Sequence, residues 1–248
     1  MLPYAAMLPP PAASPLQISA LTKDYVQGTA LHPLDLELEH GECLALVGGN
    51  GAGKSTLLKC LCDLIRPSGG SVQVFGLPYV QARQRLAYLP ERFLPPPHLT
   101  GWEFLRFMLQ LQGMAWQTQA AEPLLLDLDL AFDALKRPVG SLSKGMGQKL
   151  GLAAVLLMEK PLLLLDEPLS GLDPLARARA RKLLANYCAQ GRSVLFSTHQ
   201  FEGLENLAHR ILLLHEGRQR FLGSPAELLA QTHGKSLDEA YLACIGAP

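Results

Sequence analysis

Short apolar runs alternate with helix-patterned segments along this 248-residue chain. The alternation predicts an α/β fold, with a mostly parallel central sheet flanked by helices. Three observations carry the prediction. The runs Leu44–Val47, Leu162–Leu165, Val194–Ser197 and Ile211–Leu214 are almost continuously apolar; strands covered on both faces need that pattern. A glycine-rich stretch, Gly48–Thr56, sits between the first of these runs and the helix-like Leu57-Leu58-Lys59-Cys60-Leu61. Residues 91–150 interrupt the alternation with helical pattern and no convincing strand, which predicts an inserted helical subdomain there.

Taken in order, residues 1–15 are rich in proline and alanine and read as a disordered tail. Met7 is an alternative start, and a proline-rich ligand for a partner is an alternative role. The segment lacks a basic n-region, so it does not read as a secretory signal. Leu16–Ile18, Leu34–Leu38 and Val72–Phe75 are expected strands, the last ended by Gly76 and Pro78. Pro90–His98 carries four prolines and reads as a loop. Thr100-Gly101-Trp102-Glu103 is a capping box that opens a helix with Phe104, Leu105, Phe107, Met108 and Leu111 as its apolar positions. Helical pattern continues to about Lys136. Asp173-Pro174 supplies an N-cap with proline at the first helical position. Ser224…Glu227 and Ser236…Glu239 are two further capping boxes. The expected division is a core formed by 16–90 and 151–223, a helical subdomain at 91–150, and C-terminal helices at 224–248.

Charge and cysteine content narrow the function classes. Lys and Arg number 22 and so do Asp and Glu, giving zero net charge. Nucleic acid therefore has no electrostatic support as the main partner. Five cysteines at 43, 60, 62, 188 and 244 fit free thiols in a reducing compartment better than disulfides. Cys60 and Cys62 lie two apart on a predicted helix and do not share a face, which argues against a metal site. The most apolar region, Leu150–Leu165, is broken by Glu159-Lys160-Pro161, so neither half can span a bilayer. Work at a membrane would need another chain.

Two motifs carry the chemistry. Gly48, Gly53, Lys54 and Ser55 fill the pattern G-x-x-x-x-G-K-S between a strand and a helix. Glycines let successive N–H groups turn toward phosphate oxygens, and the helix aims its positive end at the same place. Lys54 can reach the β- and γ-phosphates, and the Ser55 hydroxyl can ligate Mg²⁺. Downstream, the strand Leu162–Leu165 ends in Asp166-Glu167. Asp166 can hold Mg²⁺ directly or through water, and Glu167 can polarise an attacking water. A bare glycine turn or a surface acidic pair would need neither partner. Together the motifs indicate a P-loop NTPase fold.

From roughly Leu16 to Gly246 the chain resembles the ATP-binding cassette (ABC) ATPases, with six motifs in the family's order. Tyr25, 23 residues before Gly48, matches the aromatic that stacks on adenine. Gly48–Thr56 is the phosphate loop, and Leu142-Ser143-Lys144-Gly145-Met146 is similar to the signature LSGGQ. Asp166-Glu167 is the Walker B pair, Ser170-Gly171-Leu172-Asp173 resembles the D-loop, and Ser197-Thr198-His199 resembles the switch histidine, 32 residues after Glu167. The resemblance implies an N-terminal antiparallel β subdomain and an inserted α-helical subdomain. It implies ATP and Mg²⁺ as cofactors. Gly48, Gly49, Asn50, Gly51, Ala52, Gly53, Lys54, Ser55 and Thr56 would hold the phosphates, and Ser55, Glu91 and Asp166 would surround the metal. Glu167 would be the general base and His199 a γ-phosphate contact. Ser143 and Gly145, at a helix N-terminus, would act on ATP bound by a second protomer, and Asp173 would couple the two sites. A dimer of two cassettes, expected to be identical chains, follows from that arrangement.

Two departures from the family pattern matter. Lys144 and Met146 replace Gly and Gln in the signature, with Lys144 expected to face water. Glu91, in Tyr88-Leu89-Pro90-Glu91, replaces the Gln that serves metal and water. Both departures, and the ending Ser236–Ala243, resemble cassettes that power ABC-2-type exporters. The implied function is an ATP-hydrolysing subunit, peripheral on the cytoplasmic face of the membrane, that drives a separate ABC-2-type transmembrane permease. A cleft lined by Glu91 to Phe107 would receive a cytoplasmic helix of the permease. Arg92, Phe93, Leu94, Trp102 and Phe104 suit such an interface. Alternatively Trp102, Phe104 and Phe107 pack the subdomain's own core, Phe107 above all. Arg177, Arg179, Arg181 and Lys182 spread around a predicted helix and read as a solvated surface. The rival function is a soluble ABC ATPase acting on a cytosolic assembly such as iron–sulfur cluster assembly; a module that binds ATP without hydrolysing it is weaker still.

Overall fold

The computed structural model describes residues 13–246; the tail expected over residues 1–12 lies outside the described residues. Ala13–Pro15, assigned to that tail from sequence, are instead tied to the first sheet. Ser14 donates to the Glu37 carboxylate, His40 Nε2 donates to the Ala13 carbonyl at 3.0 Å, and the Phe75 amide donates to the Pro15 carbonyl at 3.3 Å.

Two sheets organise the chain. β1 (Leu16–Tyr25), β2 (Gly28–Leu38), β4 (Gly69–Val74) and β5 (Leu77–Pro78) form an antiparallel sheet in the order β2-β1-β4-β5. β3 (Cys43–Val47), β6 (Leu86–Leu89), β7 (Leu162–Leu165), β8 (Ser193–Thr198), β9 (Arg210–His215) and β10 (Arg218–Gly223) form the second, in the order β10-β9-β3-β8-β7-β6. All its pairings are parallel except β9 with β10. The expected strands are all present, and β1 and β2 extend well beyond the segments expected from sequence. β6, β10 and the two-residue β5 were not foreseen.

Side chains on a strand alternate between faces, and both faces of the second sheet are covered. Leu44, Leu46, Leu164, Leu195, Leu212 and Leu214 point into a core shared with β1, β2 and α1 (Lys54–Leu61). Cys43, Ala45, Val47, Leu163, Leu165, Val194 and Phe196 point into the opposite core, built with the helices. This two-sided burial explains why the strands read as unbroken apolar runs.

After the short α2 (Tyr79–Ala82) and β6 come α3 (Gly101–Leu111), α4 (Thr118–Asp127), α5 (Phe132–Leu135) and α6 (Lys144–Leu157). Between residues 91 and 150 the β pairing among the described residues is confined to one isolated bridge, Thr100 with Pro138. Thr100 and Glu103 form both halves of their capping box. α3 buries Gly101, Phe104, Leu105 and Leu109, one helical stripe. Phe107 lies off that stripe and is 44% exposed, which overturns its assignment to the core. Trp102 is half-buried, edge-on to Trp116 with ring centres 5.5 Å apart.

α7 (Pro174–Ala189) starts at the expected Asp173 cap, where the Ala176 amide donates to Asp173 Oδ1 at 2.9 Å. α8 (Pro225–Thr232) has its full capping box. At α9 (Leu237–Ile245) only half forms: Ser236 receives the Glu239 amide, but the Glu239 carboxylate takes the Lys235 amide instead. Of the basic run on α7, Lys182 is exposed as expected, but the three arginines are engaged by neighbouring segments. Arg177 Nη2 donates to the Leu172 carbonyl at 3.3 Å, Arg181 to the Glu202 carbonyl at 2.7 Å, and Arg179 pairs with Asp129 at 3.5 Å. All five cysteines are free thiols, and four are buried. Burial pushes the Cys62 thiol up to about 12, with Asp166 adding to the effect, so this thiol stays protonated and inert at neutral pH.

Arg210, at the start of β9, clamps the turn that leads into β3. Its guanidinium reaches both Glu42 carboxylate oxygens, at 2.6 and 2.8 Å, and the Glu37 carbonyl at 2.6 Å. Glu42 is 5% exposed, so removing the cation would strand a buried charge. Arg210→Met is expected to lower the unfolding free energy by roughly 3 kcal/mol, read by urea titration, and adding Glu42→Gln should restore much of it. An unchanged denaturation midpoint in the single variant would refute the clamp.

Candidate functional site

The carboxyl ends of β3, β7 and β8 lie side by side, and the loops leaving them build one cavity of about 400 Å³. It is lined by Ala30, Gly49–Thr56, Glu91, Glu167 and His199. Ligands of open α/β sheets bind at this end of the strands.

Gly48 follows β3 at a point where no side chain fits: a Cβ there would lie 2.4 Å from the Leu214 carbonyl oxygen. Gly53 has φ +105° and caps α1 without a side-chain acceptor, so the first amides of the helix face the cavity unsatisfied by any cap. That leaves the helix terminus available to an anion. The Lys54 ammonium is buried, donates to the Gly48 carbonyl at 2.7 Å and the Gly49 carbonyl at 3.2 Å, and lies 3.8 Å from Glu167 Oε1.

The acidic pair is held from three sides. Asp166 is 2% exposed and accepts from Ser197 Oγ at 2.6 Å; the same oxygen accepts the Glu167 amide at 2.9 Å. Glu167 has φ +50°, an uncommon conformation for a residue with a side chain and one found at functional turns. His199 Nδ1 donates to Glu167 Oε1 at 2.9 Å. Gln148, buried on α6, donates to the Glu167 and Pro168 carbonyls at 3.3 and 3.1 Å.

Lys54, Ser55, Thr56, Glu91, Glu167 and His199 thus come together around the phosphate loop, while Asp166, the residue after β7, is buried and does not line the cavity. β6 explains Glu91: pairing with β7, and the Asp166 amide donating to the Leu89 carbonyl at 2.8 Å, bring the following loop beside the acidic pair. For a hard cation the donors suit, since Mg²⁺ takes one or two carboxylates with a hydroxyl and phosphate oxygens. Ser55 and Glu91 line the cavity, whereas Asp166 is 2% exposed and is not part of its lining; the three together supply such a donor set, and the Ser55 hydroxyl makes no hydrogen bond among the described residues.

Other expected residues fall outside the cavity. Tyr25, half-exposed, lines a neighbouring recess with Val26–Ala30, and Ala30 is common to both. Lys23 Nζ sits 4.9 Å from the Tyr25 ring centre, a cation–π contact. Ser143 caps α6 by accepting the Met146 amide and lines a separate groove with Glu91–Pro95 and Lys144. Gly145 packs against its own D-loop, where a Cβ would sit 2.9 Å from the Gly171 carbonyl. Lys144 is exposed, with its methylenes along Gly171. Asp173 caps α7, and its carboxyl is held below the usual range, chiefly by the Ala176 amide. Sequence reasoning missed Gln148, Ser197 as a ligand of both acidic residues, and Tyr241, whose hydroxyl accepts the Gly49 amide at 3.1 Å. Gln148 stands beside Lys149 near the start of α6, so its local pattern carries no mark of this role.

Comparison with known proteins agrees with this geometry. The profile of the family described as "ABC transporter" matches residues 31–170. An uncharacterised ABC transporter ATP-binding protein of Synechocystis sp. is 36% identical over 239 residues, 91% of this chain and 67% of the relative. The Nod factor export ATP-binding protein I of Burkholderia pseudomallei is 34% identical over 235 residues, 93% of this chain and 77% of that protein. A solved ATP-binding subunit of an ABC transporter superposes with TM-score 0.84 at 31% identity, covering 93% of this chain and 99% of its own. A bacterial ABC transporter cassette, 23% identical with TM-score 0.77, shares the fold. The chain belongs to the ABC transporter family, as one of its ATP-binding ATPase cassettes.

Proposed function

We propose that this cassette binds ATP with Mg²⁺, pairs with a second copy across two ATP molecules, and drives an ABC-2-type export permease. The observation that carries the reading is the cavity that gathers Lys54, Glu167 and His199 around the phosphate loop. Export is supported by relatives named for Nod factor export. The ABC-2 type is supported by the resemblance in Glu91, in Lys144 and Met146, and in the ending Ser236–Ala243.

In this reading the amides at the start of α1 and the Lys54 ammonium bind the phosphates. Ser55, Glu91 and Asp166 would hold Mg²⁺, which when bound would neutralise phosphate charge. Glu167 accepts the proton of the attacking water as the bond to the γ-phosphorus forms and the bond to ADP breaks. His199 fixes the Glu167 carboxylate through Oε1, leaving the other oxygen for the water. Tyr25 would stack adenine on the ring face opposite Lys23. Ser143 lines a groove that does not include the phosphate loop, with Gly145 two residues on, so each site would be completed by the partner copy. Asp173, beside that surface, would couple the sites.

For the permease, the groove of about 430 Å³ between residues 91–97 and 139–148 is the proposed dock. Arg92, Phe93 and Leu94 line it, with Leu94 80% exposed. Trp102 and Phe104 do not. No helix among the described residues is long and apolar enough to cross a membrane. The proposed place of work, the cytoplasmic face of the membrane, rests on the permease reading.

Glu167→Gln is expected to slow ATP turnover on the order of 10²-fold or more and to leave an ATP-bound dimer detectable by size-exclusion chromatography with light scattering. Turnover near that of the parent would remove Glu167 from the base role. Lys54→Ala is expected to abolish ATP binding, and calorimetry showing unchanged affinity would sink the phosphate-loop assignment. Tagged Glu167→Gln protein, recovered from detergent-solubilised native membranes with ATP and Mg²⁺, should bring down an integral membrane protein in stoichiometric amount. Recovery of soluble partners alone, from protein shown to bind ATP, would reject the permease reading.

A further inference from the structure

The peptide unit joining Gly48 and Gly49 is gripped on both edges. Its carbonyl oxygen accepts the Lys54 ammonium at 2.7 Å, and its N–H donates to the Tyr241 hydroxyl at 3.1 Å. In a trans peptide those two groups point in opposite directions, so Lys54 and Tyr241 hold one plane from opposite sides. Tyr241 comes from α9, 192 residues away in sequence. Its ring also packs on Phe201, with centres 5.0 Å apart, two residues after His199.

The grip matters because glycine stands on both sides of this plane. With no Cβ at either residue, rotation of the peptide about its flanking bonds meets little steric resistance. Lys54 alone cannot prevent it while serving an anion, since an ammonium that turns to phosphate oxygens loosens its hold on the Gly48 carbonyl. The Tyr241 hydroxyl faces the other edge and is under no such competition. Close approach is possible because residue 49 is glycine: a Cβ there would sit 3.2 Å from the hydroxyl oxygen.

We propose that Tyr241 is a positioning residue for nucleotide binding: its hydroxyl fixes the Gly48–Gly49 peptide, and its ring braces the loop that carries His199. The C-terminal helix α9 thereby holds two walls of the cavity in one arrangement. The inference rests on the reading of that cavity as an ATP site.

Tyr241→Phe removes one oxygen and keeps the ring, and its test is run on the full chain. Preorganisation lost with one hydrogen bond predicts MgATP binding weaker by about 2- to 10-fold, by calorimetry, with KM raised in step. The kcat should stay within about twofold because the ring still braces Phe201, and without nucleotide the melting temperature should fall by no more than a few degrees, the effect of one lost hydrogen bond. Amide exchange at Gly49, followed by NMR without nucleotide, should accelerate. Equal or tighter MgATP binding by the variant, or unchanged Gly49 exchange, would overturn the role of Tyr241 alone. A parent protein that binds no MgATP would overturn this inference together with the ATP-site reading.

Discussion

The structure depends on keeping two carboxylates buried at the end of one apolar strand. Asp166 and Glu167 are 2% and 8% exposed, and an unpaired charge at such depth is costly. The compensation is local. One hydroxyl, Ser197 Oγ, spends its single proton on Asp166 and takes the Glu167 amide on a lone pair. Glu167 Oε1 faces Lys54 and His199 together. Ser197 can serve both residues because β8 runs parallel beside β7 with Leu165 opposite Phe196. A slip of one residue would turn Ser197 to the other face of the sheet and leave Asp166 without its donor. The register of two leucine-rich strands is therefore a condition of the chemistry.

The same sheet order builds the anion side of the cavity. β3 lies between β8 and β9, so the turn after Val47 passes under Leu214, the site where Gly48 alone fits. The loop then rises to Gly53 and hands an uncapped helix terminus to the space in front of Glu167. Positive potential from α1 and Lys54 and negative potential from the acidic pair meet across one gap. A polyphosphate carrying a cation has the matching charge pattern.

Much of this was legible because it is local. Strands covered on both faces declare themselves as unbroken apolar runs, and the phosphate loop and acidic pair declare themselves by residue type at fixed spacing. β10 was hidden because Arg218, Gln219 and Arg220 are exposed on an edge strand, leaving Phe221 and Gly223 as its buried positions. β6 was hidden between the arginines that precede it and Pro90. The error at Phe107 was avoidable: Phe104, Leu105 and Leu109 set the phase of α3, and Phe107 falls off it. Tyr241 on Gly49, and Arg177 and Arg181 holding the segments around α7, are contacts across the fold for which sequence carries no local mark.

α6 shows how the proposed dock and the acidic pair share a support. Gly151 lets the helix approach Leu89 and Phe93 so closely that a Cβ would lie 2.8 and 3.1 Å from them. Gln148, three residues earlier and on the same face, holds the Glu167 and Pro168 carbonyls. Phe93 lines the groove, and Glu91 two residues before it lines both the groove and the cavity. One helix face thus touches the groove wall and the backbone of Glu167 within a single turn. Close packing at Gly151 leaves little slack between α6 and the groove wall.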